Sequence, residues 1–185
     1  MVGNAGSGET TAGRVLAQRL AVPFVEVDAV YGQPGWTPLP VEQFRRRVDE
    51  LTAGSGWVVD GNRSAVRDLV WRRADPVVWL DPPRWTVMRR VVARTLWRTV
   101  TRQELWNTNR EPLTGLVRID PDRSVIRWAW TRHGVYRERY AALSADPAYA
   151  HLTFVRIRSR QDLTRLLAAA TGPTATGDGR QPWLR

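Results

Sequence analysis

Apolar residues recur along this chain in two alternating rhythms, one helical and one extended. Between residues 9 and 20, Ala12, Val15, Leu16 and Leu20 share one face at helical spacing, which predicts a first helix. Pro23, Phe24, Val25, Glu26 and Val27 then read as a strand ending at Asp28. A loop rich in Gly and Pro, from Gly32 through Gln33, Pro34 and Gly35 to Trp36, leads to a second helix with Val41, Phe44, Val48 and Leu51 on one face. Gly54, Ser55 and Gly56 break that helix. Trp57, Val58 and Val59 form a short buried strand ending in Asp60, Gly61 and Asn62. A brief polar helix follows, then a continuous apolar strand from Pro76 to Leu80 that ends at Asp81.

The second half begins with a long helix predicted over residues 83–103. Its arginines at Arg90, Arg94, Arg98 and Arg102 recur every four residues and form a slowly drifting stripe, while Met88, Val92, Leu96 and Val100 keep another stripe apolar. Residues 104–123 show no periodicity and read as an irregular excursion. Helix resumes over 124–143, strand over 152–157 and helix over 161–170, and the Gly-, Thr- and Pro-rich residues 171–185 read as a disordered tail. Apolar strands that alternate with helices predict an α/β fold of three layers, a parallel sheet flanked on both faces. The expected organisation is one domain over 1–170, with residues 84–123 as a helical lid. In such sheets ligands bind beyond the carboxyl ends of the strands, where Asp28, Asp60 and Asp81 fall.

One stretch carries candidate chemistry: Gly3, Asn4, Ala5, Gly6, Ser7, Gly8, Glu9, Thr10 and Thr11. It matches the phosphate-loop pattern G-x-x-x-x-G-K-[ST] at Gly3, Gly8 and Thr10, and departs from it at Glu9, where the pattern has lysine. Glycines let successive N–H groups turn inward, and the helix that follows adds its own unpaired N–H groups and dipole, so the loop is an anion cradle. Thr10 would offer its hydroxyl to Mg²⁺.

Composition sharpens this. The chain of 185 residues has a net charge of +10, and all 28 of its Lys and Arg residues are arginine, so any substitute for the loop lysine must be an arginine. Residues 84–139 hold 13 arginines against 5 acidic residues, a field that attracts phosphates. The absence of cysteine excludes disulfides, thiolate metal sites and cysteine nucleophiles. With only two histidines, His133 and His151, a zinc site is not expected. No signal-like N-terminal pattern and no run of transmembrane length is present, so a soluble cytoplasmic protein is expected.

The order of pieces resembles the P-loop small-molecule kinases related to adenylate and shikimate kinases, and most closely the bacterial topology-modulation proteins. The resemblance rests on the loop at Gly3–Gly8, on Val27, Asp28, Ala29, Val30 and Tyr31, and on Trp57, Val58, Val59, Asp60, Gly61 and Asn62. It continues through Arg73, Ala74, Asp75, through Arg94, Thr95, Leu96, Trp97, Arg98, through residues 104–111, and through Val155, Arg156, Ile157, Arg158. It implies a five-stranded parallel sheet with the strand before the loop at its centre, ATP and Mg²⁺ as cofactors, and a small-molecule acceptor. It also implies a lid in which Arg94, Arg98 and Arg102 contact phosphates, and Asp28 and Asp60 near the acceptor or the magnesium shell. Trp36 and Trp106 are candidates for stacking on a ring, and Asn109 and Glu111 for shaping the acceptor pocket or stabilising the lid.

Two departures bear on activity. Placing Glu9 beside a triphosphate exchanges attraction for repulsion, about 4 kcal/mol per charge pair at near-surface dielectric. The helix N-terminus also stabilises the Glu9 carboxylate itself, so Glu9 competes with phosphate for the cradle. The expected consequence is weak ATP binding and slow transfer, unless a lid arginine replaces the lysine. The second departure is the stub of strand at Met1 and Val2, where a phosphate loop needs about five strand residues to launch it. A natural chain carrying further apolar residues upstream would supply them. Two other classes stay open at this level: a non-catalytic, nucleotide-responsive module, and an arginine-rich nucleic-acid binder whose affinity would fall steeply with salt and ignore ATP.

Overall fold

The computed structural model describes residues 1–101 and 125–170. Five strands form its centre: β1 (Val2–Gly3), β2 (Phe24–Glu26), β3 (Val58–Asp60), β4 (Pro76–Leu80) and β5 (Thr153–Ile157). Every pairing is parallel. β2 pairs with β3 with Val25 opposite Val59. On the other side Val2 lies opposite Trp79 and Gly3 opposite Leu80, and β4 pairs along its full length with β5. The two ladders meet at the first residue, where the Met1 amino group donates to Val59 O at 2.6 Å and the Gly61 N–H donates to Met1 O at 3.2 Å. The order across the sheet is therefore β2-β3-β1-β4-β5, with the strand before the glycine-rich loop at its centre, as the family resemblance implies. That strand spans only two residues. Where β4 runs on without it, a cavity of about 670 Å³ opens, lined by Leu16, Leu20, Val58, Val59 and Val78.

Strand residues alternate between two cores, because successive side chains point to opposite faces. Val59, Val77 and Trp79 face helices α3 (Val41–Leu51), α4 (Ser64–Arg73) and α6 (Val125–Ala145), against Phe44, Val48, Val66, Trp71 and Tyr140. Val58, Val78 and Leu80 face the other way, onto α1 (Glu9–Leu20) and α7 (Arg160–Ala169) through Ala12, Leu16 and Leu166. Helix α5 (Arg84–Thr101) packs on α6 through Val87, Val91 and Ala129, all fully buried. No helix among the described residues is long and apolar enough to cross a membrane.

Three local expectations need correction. The strand expected to end at Asp28 stops at Glu26, and Asp28 lies in the short helix α2 (Val27–Tyr31). A strand-like composition is overridden there because Val27 is 1% exposed and its turn of helix docks on α3. Helix α4 is ten residues long and not polar on its inner face, where Val66, Val70 and Trp71 are buried. On α3 only the centre of the apolar face is buried: Phe44 and Val48 are at 0%, whereas Val41 is 54% and Leu51 37% exposed, since the sheet beneath covers just the middle turns. The lid excursion expected at 104–123, with Trp106, Asn109 and Glu111, and the tail at 171–185 lie outside the described residues, as does Arg102.

Candidate functional site

The glycine-rich loop connects β1 to α1 at the carboxyl end of the sheet. Gly6 and Gly8 adopt φ of +85° and +100°, a region that L side chains rarely occupy. Gly3 and Gly6 also have no room for a side chain: a Cβ would lie 2.7 Å from Leu80 O at Gly3 and 2.5 Å from Val91 Cγ2 at Gly6. Gly6 is thus required by both conformation and close approach, Gly3 by close approach and Gly8 by conformation. The loop is held from outside by Asn4, which is 5% exposed and donates its Nδ2 to Ala129 O of α6 at 3.0 Å. Within it the Ser7 N–H donates to Asn4 O at 2.9 Å. Helix α1 starts at Glu9 with no side chain capping it, so its first N–H groups are left for an anion. Asn4 Oδ1 and Ser7 Oγ are buried without a hydrogen-bond partner, which fits a loop built around something else.

Two polar pairs lie beside the loop. Thr10 Oγ1, in the first turn of α1, donates to Asp60 Oδ2 at the end of β3 across 2.7 Å. Asp60 is 6% exposed, and this burial raises its carboxyl above the usual range, against the lowering effect of the Thr10 hydrogen bond. A hydroxyl and a carboxylate side by side are hard oxygen donors of the kind Mg²⁺ takes, so this pair fits the ion. Asp28 Oδ1 accepts from Arg63 Nε at 2.8 Å. Arg63 is oriented by lying 3.9 Å over the Tyr31 ring, which in turn meets Phe44 edge-on at 5.1 Å.

Glu9 turns back into the loop. Its Oε1 lies 3.2 Å from the place a Gly3 Cβ would occupy, in the same crevice as Ser7 Oγ. Burial, and then the negative charge of Asp60, push its carboxyl up to about 8, while the Met1 amino group and Ser7 pull the other way. The loop backbone fits a phosphate. The Glu9 carboxyl holds part of the space that the phosphate would need, and repels it once ionised.

The arginine stripe reaches the loop at Arg90, whose Nη1 donates to Ser7 O at 2.6 Å. Arg94 and Arg98, both half-buried, follow one and two turns further along α5. Beside this contact a cavity of about 730 Å³ opens between α5 and the β5–α7 connection, lined among others by Ser7, Thr86, Arg89, Arg90, Arg158 and Arg160. At the end of β4, Asp81 accepts from Arg137 Nε and Arg156 Nε, each at 3.0 Å, and so joins α6 to β5.

The structure brings together Gly3, Asn4, Ala5, Gly6, Ser7, Gly8, Glu9, Thr10 and Asp60; Thr11 is exposed on α1, and Asp28 lies nearby with Arg63 as partner. Trp36 closes a short 3₁₀ turn, Pro34–Trp36, after α2. Sequence reasoning did not single out Arg63, and it named Arg90 only as one member of the α5 stripe. A polar residue directly after the Asp60-Gly61-Asn62 strand end was the signal for Arg63. For Arg90 it was its place in the second turn of α5, the helix that follows β4.

No protein-family model matches the chain. The chain is 36% identical over 183 residues to a protein named shikimate kinase from Symbiobacterium thermophilum, an alignment covering 88% of this chain and 89% of that one. With a parallel α/β sheet, a glycine-rich loop after its central strand and this relationship along nearly the whole length, the chain belongs to the shikimate kinase family of P-loop small-molecule kinases.

Proposed function

We propose that the chain binds ATP and Mg²⁺ and transfers the terminal phosphoryl group to the hydroxyl of a small acceptor, at a rate held down by Glu9. The observation that carries this reading is the Thr10–Asp60 pair at 2.7 Å, which sets a magnesium-type donor set at the mouth of an anion cradle. In this reading the loop from Gly3 to Thr11 is a Walker A motif whose lysine has become Glu9. Its backbone N–H groups hold the phosphates, and Thr10 and Asp60 hold the ion, which when bound neutralises charge on the transferring group. Asp28, fixed by Arg63, faces the acceptor and takes the proton of the attacking hydroxyl as the new P–O bond forms and the bond to ADP breaks. Arg94 and Arg98 of α5, with Arg102 beyond it, serve the lid.

The relative's name makes shikimate the first acceptor to try, and the Arg63 guanidinium next to Asp28 suits a hydroxylated carboxylate of that class. Coupled ADP release is measured with MgATP and a panel of such acids, for the natural chain and for Arg63→Ala. Turnover with one acid and a raised KM for it in Arg63→Ala, with the KM for ATP unchanged, is the expected result. A chain that neither binds MgATP nor releases ADP with any acceptor would refute the proposal.

A further inference from the structure

We infer that Arg90 supplies the cation that the phosphate loop lacks, taking over from α5 the charge that a lysine at position 9 would provide. This rests on the nucleotide reading above and deepens it. With no lysine anywhere in the chain and Glu9 in the loop, charge balance on a bound triphosphate must come from arginines reaching in from other elements. Arg90, in the arginine stripe on α5, is in contact with the loop. Its Nη1 donates to Ser7 O at 2.6 Å and lies 3.2 Å from where a Gly8 Cβ would stand, so the guanidinium spans the two residues before Glu9.

The placement is fixed by packing. Val87 and Val91 flank Arg90 on the helix and are both 0% exposed, and Val91 sits so close to Gly6 that no side chain fits between them. Helix α5 therefore rests on the loop backbone, and the root of Arg90 cannot drift from it. Ser7 O uses one of five guanidinium donors. The group opens onto the cavity of about 730 Å³ shared with Ser7, Arg89, Arg158 and Arg160, in which no carboxylate among the described residues takes part in the lining. A polyphosphate entering that cavity meets Arg90 at the loop. A planar guanidinium anchored to the loop by one edge makes bidentate contacts with phosphate oxygens that a flexible lysine makes as a point charge.

The test is a double-mutant cycle read by calorimetric titration of MgATP into the natural chain, Arg90→Ala, Arg90→Lys, Glu9→Lys and Glu9→Lys/Arg90→Ala, with thermal melts of each unliganded protein. Arg90→Ala is expected to weaken MgATP binding on the order of 10- to 100-fold, the value of a charge-assisted contact. Arg90→Lys restores part of the loss. In the Glu9→Lys background the same Arg90→Ala change costs less than about threefold, because the loop then carries its own cation. An equal loss in both backgrounds would make Arg90 an ordinary contact and overturn the replacement. Unchanged affinity in Arg90→Ala, with the natural chain binding normally, would overturn the assignment alone. A natural chain that binds no MgATP would overturn the nucleotide reading and this inference with it.

Discussion

The Thr10 hydroxyl donates to the Asp60 carboxylate across 2.7 Å, joining the first turn of α1 to the end of β3. Asp60 is buried, so this hydrogen bond satisfies a carboxylate away from water and sets two oxygens side by side. Thr10→Val keeps the shape and removes the hydroxyl. It is expected to lower stability by about 1–2 kcal/mol, as a buried carboxylate loses a partner. It should also weaken Mg²⁺-dependent ATP binding on the order of tenfold or more while leaving Mg²⁺-free binding nearly unchanged. Equal loss with and without Mg²⁺ would remove Thr10 from the metal site.

Glu9 is the residue most directly opposed to the proposed activity. Its carboxyl lies in the loop crevice next to Ser7 and Gly3, where a phosphate oxygen would otherwise approach. Glu9→Lys puts a cation where a carboxyl that ionises near pH 8 now stands, so it adds attraction at neutral pH and also removes repulsion above that, each on the order of a few kcal/mol at near-surface dielectric. MgATP affinity is expected to rise at least tenfold and ADP release to rise with it. Turnover that is equal in the two proteins would show that the charge at position 9 does not limit the reaction.

Stability should also depend on Glu9 through pH. Its carboxyl titrates at about 8 in the folded chain, raised by burial first and by Asp60 second, against an ordinary value near 4.5. Between those values the folded state holds a proton that the unfolded state has released, so stability falls as pH rises. From pH 6 to pH 8 the loss is on the order of 1–2 kcal/mol. Asp60, also raised, adds in the same direction, and the Met1 amino group, lowered by burial, opposes it. The difference between the natural chain and Glu9→Gln in urea melts at the two pH values isolates the Glu9 share. A difference that does not change with pH would mean that Glu9 is already ionised at pH 6.

Much of the architecture was written in the alternation of apolar runs. Helix α1 at Glu9–Leu20 and strand β4 at Pro76–Leu80 follow the apolar pattern residue for residue, because each buries one clear face or both. Asp28 was harder: the run from Pro23 to Val27 reads as one strand to Asp28, whereas Val27, buried against α3, already begins a helix. The loop glycines were legible because a φ of +100° leaves few alternatives to glycine at Gly8. The partners of the site were not. Arg63 meets Asp28 from 35 residues away, and Arg90 meets Ser7 from 83 residues away. Such contacts are set by how α2, α4 and α5 pack around the sheet, and periodicity within one helix carries no trace of them. The inward turn of Glu9 has the same origin, since a side chain at a helix start has open choices until the crevice beneath it forms.

Asp81 offers a test of how the outer elements hold the loop. Its side chain is 5% exposed and accepts from Arg137 of α6 and Arg156 of β5, whose side chains stay 45% and 31% exposed. Arg156 also lies 4.2 Å from the Trp79 ring centre. In Asp81→Ala the two arginines can turn to water, so the cost is below that of stranding buried cations, about 2–3 kcal/mol, or a melting temperature lower by roughly 5–10 °C. The effect should reach the loop, because α6 also carries the Ala129 carbonyl that holds Asn4. Loosening α6 therefore predicts a second change in Asp81→Ala, faster amide exchange at Asn4 to Ser7 than in Arg156→Ala, which leaves the Arg137 tie in place. Equal exchange in the two variants, with the expected loss of stability, would mean that Asp81 steadies the sheet edge and α6 positions the loop without it.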